Sequence, residues 1–129
     1  MYKIIKTKKS PKPIGPYVQG IDTGNFIFVS GQIPIDENSG NIPENINDQT
    51  YQTLLNIKFI IEKAKLTLNN IIKTTIFIVD INDLKQINKT YNNFFKENNS
   101  KFPTRSCVEV NKLPKNVKIE IEAIAYRKK

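Results

Sequence analysis

The chain has 129 residues, with 20 lysines and arginines against 12 acidic residues, a net charge of +8 and no histidine. Lacking histidine, it cannot run Ser-His-Asp or Cys-His catalysis, and its single cysteine can form neither an internal disulfide nor a thiolate metal centre alone. Its length fits one domain, residues 1–129, able to bury a core without disulfide or metal staples.

The start, MYKIIKTKKSPKP, has no apolar stretch long enough for a signal peptide, and no later run approaches a membrane span, so the expected location is the cytoplasm. Tyr2 to Lys6 alternates weakly, as a short strand does. Ser10 to Pro16 is a Pro/Gly loop. Val18 to Asp22 and Phe26 to Ser30 are β-prone segments joined by Asp22-Thr-Gly-Asn25, a hairpin signal. Gly31 to Glu44 reads as loop. From Asp48 to Leu68 the period becomes helical, with Leu54, Ile57, Ile61, Ala64 and Leu68 in one stripe and Asn47 or Asp48 as N-cap. Ile71 to Val79 is a β-branched run of strand length, expected inside a sheet.

A second helix, capped by Asn82 or Asp83, buries Leu84, Ile87, Tyr91, Phe94 and Phe95 and stops at Asn98-Asn99-Ser100. Strands follow at Thr104 to Val110 and Val117 to Tyr126, and Lys128 and Lys129 form a frayed tail. The order βββαβαββ predicts an α+β fold, a single sheet with two helices on one face. The face away from the helices is expected to hold Arg105, Glu109, Glu120 and Glu122 beside Ile124 and Tyr126. A surface of that mixed kind pairs with another subunit, so a homo-oligomer is expected.

In the last part of the chain, Arg105, Cys107 and Glu109 alternate on one side of a strand. Arg105 is either a fork for a carboxylate or phosphate or a surface partner of Glu109 or Glu122. Cys107 lacks a histidine to activate it and reads as a structural thiol. Glu120 and Glu122 share a face, as an acid/base pair or as an ion-paired edge with Lys118. Ser30-Gly31, at a strand end, offers a hydroxyl and backbone N–H groups to an anion or reads as a plain turn. Tyr17, after Ile14-Gly15-Pro16, is a pocket lip or a core cap. Asn88 sits inside the second helix, where asparagine is a poor residue unless it reaches a partner. No acidic cluster suggests a metal. The positive charge is dispersed except at Lys6, Lys8 and Lys9, and no nucleic-acid motif accompanies it, which disfavours a nucleic-acid partner. Together the residues suit binding a small carboxylate and positioning water.

The stretches IGPYVQG (Ile14 to Gly20), VSGQIP (Val29 to Pro34), TTIFIVDINDLKQINKTYNNFF (Thr74 to Phe95), FPTRSCVEV (Phe102 to Val110) and LPKNVKIEIEAIA (Leu113 to Ala125) resemble the reactive-intermediate deaminase family, also called RidA, YjgF or RutC-like. The resemblance covers nearly the whole chain; Asn111 departs from it. It implies a bacterial chorismate mutase-like fold, assembly as a homotrimer with sites between subunits, and no cofactor. It implies hydrolysis of 2-imino acids or their enamine tautomers to 2-oxo acids and ammonia. Arg105 would bind the substrate carboxylate, Glu120 would orient or deprotonate water, and Tyr17, Ser30, Gly31, Asn88 and Cys107 would line the pocket. The readings kept beside this one are a 2-oxo-acid-binding regulatory module and an RNA-directed protein, endoribonuclease-like or translation-inhibitor-like.

Overall fold

A computed structural model describes residues 1–128. Strands β1 (Lys3–Ile5), β2 (Gly20–Asp22) and β3 (Phe26–Gln32) precede helix α1 (Ile46–Lys63). Strand β4 (Ile71–Ile78), helix α2 (Leu84–Glu97), β5 (Thr104–Glu109) and β6 (Ile119–Tyr126) complete the expected βββαβαββ order. One mixed sheet runs β1-β2-β3-β6-β4-β5. Every neighbouring pair is antiparallel except β4 and β5, which α2 links as a parallel crossover.

Both helices lie on one face. Ile57, Ile60 and Ile61 of α1 and Ile87, Tyr91, Phe94 and Phe95 of α2 join Ile27, Val29, Ile76, Ile78, Ile119, Ile121, Ala123 and Ala125 of the sheet in one core. Each fully buried isoleucine contributes roughly 1.5–3 kcal/mol through area removed from water. The outer face keeps an apolar strip. Phe28 and Tyr126 are 46% and 42% exposed, too much for core residues. Phe26 packs 5.3 Å from Tyr126 and 6.4 Å from Phe28, and Phe28 lies opposite Ile124.

Several element ends differ from expectation for local reasons. The cap of α1 is Asn45, not Asn47 or Asp48: its side-chain oxygen accepts from the Asp48 N–H at 2.8 Å and its amide donates to the Asp48 carboxylate at 2.9 Å. The helix stops at Lys63 because Lys65 turns left-handed at φ 63°, and Leu68 enters a separate 3-10 turn. Asp83 holds the cap position of α2 without a side-chain cap bond, while Asp80 accepts from the Asn82 N–H at 2.9 Å and caps the 3-10 turn before it. Strand β3 does not end at Ser30. It continues through Gly31 to Gln32 across a register shift against β6. Strand β2 starts at Gly20 rather than Val18. Of the expected tail, Lys128 is in no regular element and Lys129 lies outside the described residues.

The sole ion pair among the described residues joins the hairpin, the end of α1 and the C-terminal segment. Arg127 donates to both Asp22 oxygens at 2.8 and 2.9 Å, to the Gly24 carbonyl at 2.7 Å and to the Ala64 carbonyl at the end of α1 at 2.8 Å. A cation there also answers the negative end of the helix dipole. The Arg127 hydrogen bond, more than its charge alone, holds the Asp22 carboxyl below its ordinary value. A carboxyl lowered by folding stabilises above its unfolded pKa, and that stability is lost as pH falls through the folded value. Arg127→Ala should therefore lower unfolding free energy by about 1–2 kcal/mol at neutral pH, after discounting for the partly exposed guanidinium. In urea unfolding, the gap between wild type and variant should narrow as pH drops below the ordinary aspartate range; a gap that stays constant into acid would contradict this account.

Candidate functional site

Two groups of chemically capable residues occupy opposite faces of the sheet. The first lies on the helix side of the edge strand β5. Parallel pairing sets Arg105 opposite Thr74 and Cys107 opposite Ile76 of β4. Thr74 and Ile76 point into the core, so Arg105 and Cys107 rise on the side of α2. The Arg105 guanidinium carbon sits 5.2 Å from the centre of the Tyr91 ring. Asn88, Tyr91, Asn92, Phe102, Pro103 and Arg105 line an open cleft of about 270 Å³. Its walls are largely apolar and its cation is Arg105.

Glu109 does not neutralise Arg105; its carboxylate accepts the Ile81 N–H at 2.8 Å. No acidic side chain pairs with Arg105 among the described residues, which removes the reading of a surface ion pair with Glu109 or Glu122. Cys107 is half-buried against the core. Burial pushes its thiol pKa up, with Arg105 opposing in part. At neutral pH it is a protonated thiol and so a poor nucleophile.

The second group lies on the outer face. Glu120 of β6 stands opposite Phe77 of β4, and Glu122 opposite Thr75. Burial raises the Glu120 carboxyl, and the neighbouring Glu122 charge raises it further. Lys118 forms no ion pair with either. Gly31 abuts the Glu120 carboxylate: a Cβ built there would collide with Oε2 and lie 2.9 Å from Cδ. Ser30 donates its hydroxyl to the Val18 carbonyl at 2.6 Å and its N–H to the Gln19 carbonyl at 2.9 Å, so both donors are engaged within the chain. Tyr17 is exposed, its hydroxyl accepts from the Ile14 N–H at 3.2 Å, and it shares a shallow hollow with Gly31.

The structure thus brings Asn88, Arg105 and Cys107 to one region, and Tyr17, Ser30, Gly31 and Glu120 to another. This corrects the expectation that Arg105 and Glu109 share the outer face with Glu120 and Glu122. Alternation within each strand holds. Its phase between strands differs from expectation, because the β4–β5 register sets Arg105 beside the inward-facing Thr74. Ser30-Gly31 also lies inside a strand and not at its end. Tyr91, expected only as part of the buried helix face, proves to be the surface under Arg105. An aromatic at the edge of a helix stripe, one turn beyond Asn88, is the signal that could have found it.

A profile of the endoribonuclease L-PSP family matches residues 7–127. A RutC family protein of Buchnera aphidicola is 59% identical over 128 residues, covering 99% of this chain and 100% of that protein. The 2-iminobutanoate/2-iminopropanoate deaminase of Escherichia coli is 53% identical over 128 residues, with 99% and 100% covered. Among solved structures, Escherichia coli TdcF with bound serine superposes with a TM-score of 0.96 at 52% identity, over 98% of this chain and 99% of that one.

The Gly31–Glu120 contact gives a direct test. In Gly31→Ala the Cβ should drive the carboxylate off β3 toward solvent. Its pKa, read by carboxyl ¹³C titration, should then fall back toward the ordinary glutamate value. An unchanged titration would mean that Gly31 does not set the position of Glu120.

Proposed function

This chain belongs to the endoribonuclease L-PSP family, and from that membership we propose that it is a deaminase of reactive imines. It hydrolyses small 2-imino acids and their enamine tautomers, such as 2-iminobutanoate and 2-iminopropanoate (2-aminoacrylate), to 2-oxo acids and ammonia. The observation that carries this reading is Arg105: an exposed guanidinium with no acidic partner among the described residues, held at an apolar cleft. Such a group binds a small carboxylate through two parallel hydrogen bonds.

A protonated C=N carbon is already electrophilic, so the protein has only to orient it and place water. Arg105 fixes the carboxylate. Glu120, whose raised pKa makes it a stronger base than an ordinary carboxylate, accepts a proton as water forms the C–O bond at C2. The carbinolamine then collapses: Glu120 returns its proton to the nitrogen, the C–N bond breaks as ammonia leaves, and the hydroxyl proton passes to the departing ammonia as the C=O of the 2-oxo acid forms. Tyr17, Ser30, Gly31, Asn88 and the wall at Cys107 complete the pocket. No step calls for a cofactor.

Within one chain Arg105 and Glu120 face opposite ways, so the proposed site is complete only where the cleft of one subunit meets the outer face of another. The exposed strip of Phe26, Phe28 and Tyr126, with half-buried Ile124 beside it, supports such burial between copies, in the barrel-like homotrimer expected of a chorismate mutase-like fold. Mixing offers the test. Arg105→Ala and Glu120→Gln subunits, each inactive alone in an assay coupled to threonine dehydratase, should regain activity when unfolded and refolded together. If the mixture stays inactive while both variants assemble, the shared site is wrong.

The acid limb of kcat/KM supplies a second check. Protonation removes the base, so the rate should fall with falling pH, at a value above the ordinary glutamate pKa of 4.5. A limb at or below that value would remove Glu120 from this role. The same measurements separate the other readings. A 2-oxo-acid sensor would bind product without turnover, and an RNA-directed protein would show RNA affinity that falls with salt.

A further inference from the structure

We propose that Tyr91 is a positioning residue for Arg105, a role that rests on the deaminase reading above and deepens it. The guanidinium lies 5.2 Å from the ring centre, within the range of an attractive cation–π contact. The ring cannot tilt freely. It is 5% exposed, its centroid lies 4.7 Å from that of Phe95, and its hydroxyl shares a buried 2.7 Å hydrogen bond with the Thr74 hydroxyl. Thr74 is also the β4 residue directly opposite Arg105 in the β4–β5 pairing. The backbone of Arg105 and the surface under its guanidinium are therefore referenced to the same residue.

Arginine has about 2 kcal/mol of rotamer freedom to lose when it grips a ligand. An exposed guanidinium with no acidic partner would otherwise sample many positions. A cation–π contact with a ring fixed from below restricts it to the mouth of the cleft before the carboxylate arrives, which lowers the entropy lost on binding. Burial raises the phenol pKa, so the ring stays neutral and hydrogen-bonded throughout the working pH range. Lysine at 105 would lack the planar, delocalised guanidinium that Arg105 sets above the ring.

The chain has two arginines, Arg105 and Arg127, so their side-chain Nε–H signals in a ¹⁵N–¹H spectrum are resolvable, with Arg127 as internal reference. In wild type the Arg105 Nε–H should be shifted by the Tyr91 ring current. In Tyr91→Leu it should move to its ordinary position while Arg127 stays in place. Tyr91→Phe paired with Thr74→Val keeps the ring and leaves no buried hydroxyl without a partner; there the shift should persist. This readout is independent of turnover, so it stands if the deaminase reading fails.

In the coupled assay, Tyr91→Leu should raise KM, and the Kd for 2-oxobutanoate, about tenfold with a smaller change in kcat, the size of a partly desolvated cation–π contact. The loss on Arg105→Lys should also shrink in the Tyr91→Leu background, because the two changes remove one interaction. An Arg105 Nε–H unmoved by Tyr91→Leu overturns the proposal, as does a KM unchanged in that variant. If Tyr91→Leu does not fold, the wild-type spectrum decides: an Arg105 Nε–H at the ordinary arginine position, undisplaced by a ring current, refutes contact with the ring, and a displaced signal upholds it.

Discussion

The central place of β6 governs most of this molecule. It is hydrogen-bonded on both sides, to β3 and β4, so its alternation sets the phase of the sheet around it. Ile119, Ile121, Ala123 and Ala125 must point at the helices, since nothing else would bury them. Glu120, Glu122, Ile124 and Tyr126 are then forced outward. A one-residue slip would bring two carboxylates into the core, an unpaired burial far costlier than the ladder bonds involved. The same constraint that folds the sheet therefore presents Glu120 on the uncovered face, where β3 and Gly31 confine it.

A second constraint acts through α2. A parallel strand pair needs a crossover, and α2 provides it between β4 and β5. The helix that closes this unit also covers β4 and supplies Tyr91 and Asn88 beside Arg105. Cation and carboxylate thus come from different pieces of folding logic, the crossover and the central strand, and they face apart. The proposed active site, drawn from both, would be completed by a second copy. The exposed aromatics Phe26, Phe28 and Tyr126 lie on the same face as Glu120.

Much of this is legible in the amino-acid sequence alone. Element order follows from changes of period and from turn residues such as Asp22-Thr-Gly-Asn25, whose glycine has φ 101°. Inward residues of β6 and α2 follow from alternation and from a 3.6-residue stripe. Element ends are less legible, because caps are decided by one hydrogen bond: Asn45 displaces Asn47 and Asp48 once its side chain meets the Asp48 N–H. Arg127 gives no hint of its four hydrogen bonds, since Asp22, Gly24 and Ala64 are distant in the chain.

Residue order alone shows which residues alternate together, that catalysis must run without histidine, and, through FPTRSCVEV and its neighbouring stretches, the family. Which side of the sheet each alternating set occupies depends on how the strands pair in the folded chain. Strand periodicity is local and has period two, so it fixes partners within a strand and leaves the sign between strands open. That sign was settled by register: Arg105 pairs with the inward Thr74 of β4, and Glu120 with Phe77 of the same strand. It separated Arg105 from Glu120 and placed Arg105 over Tyr91.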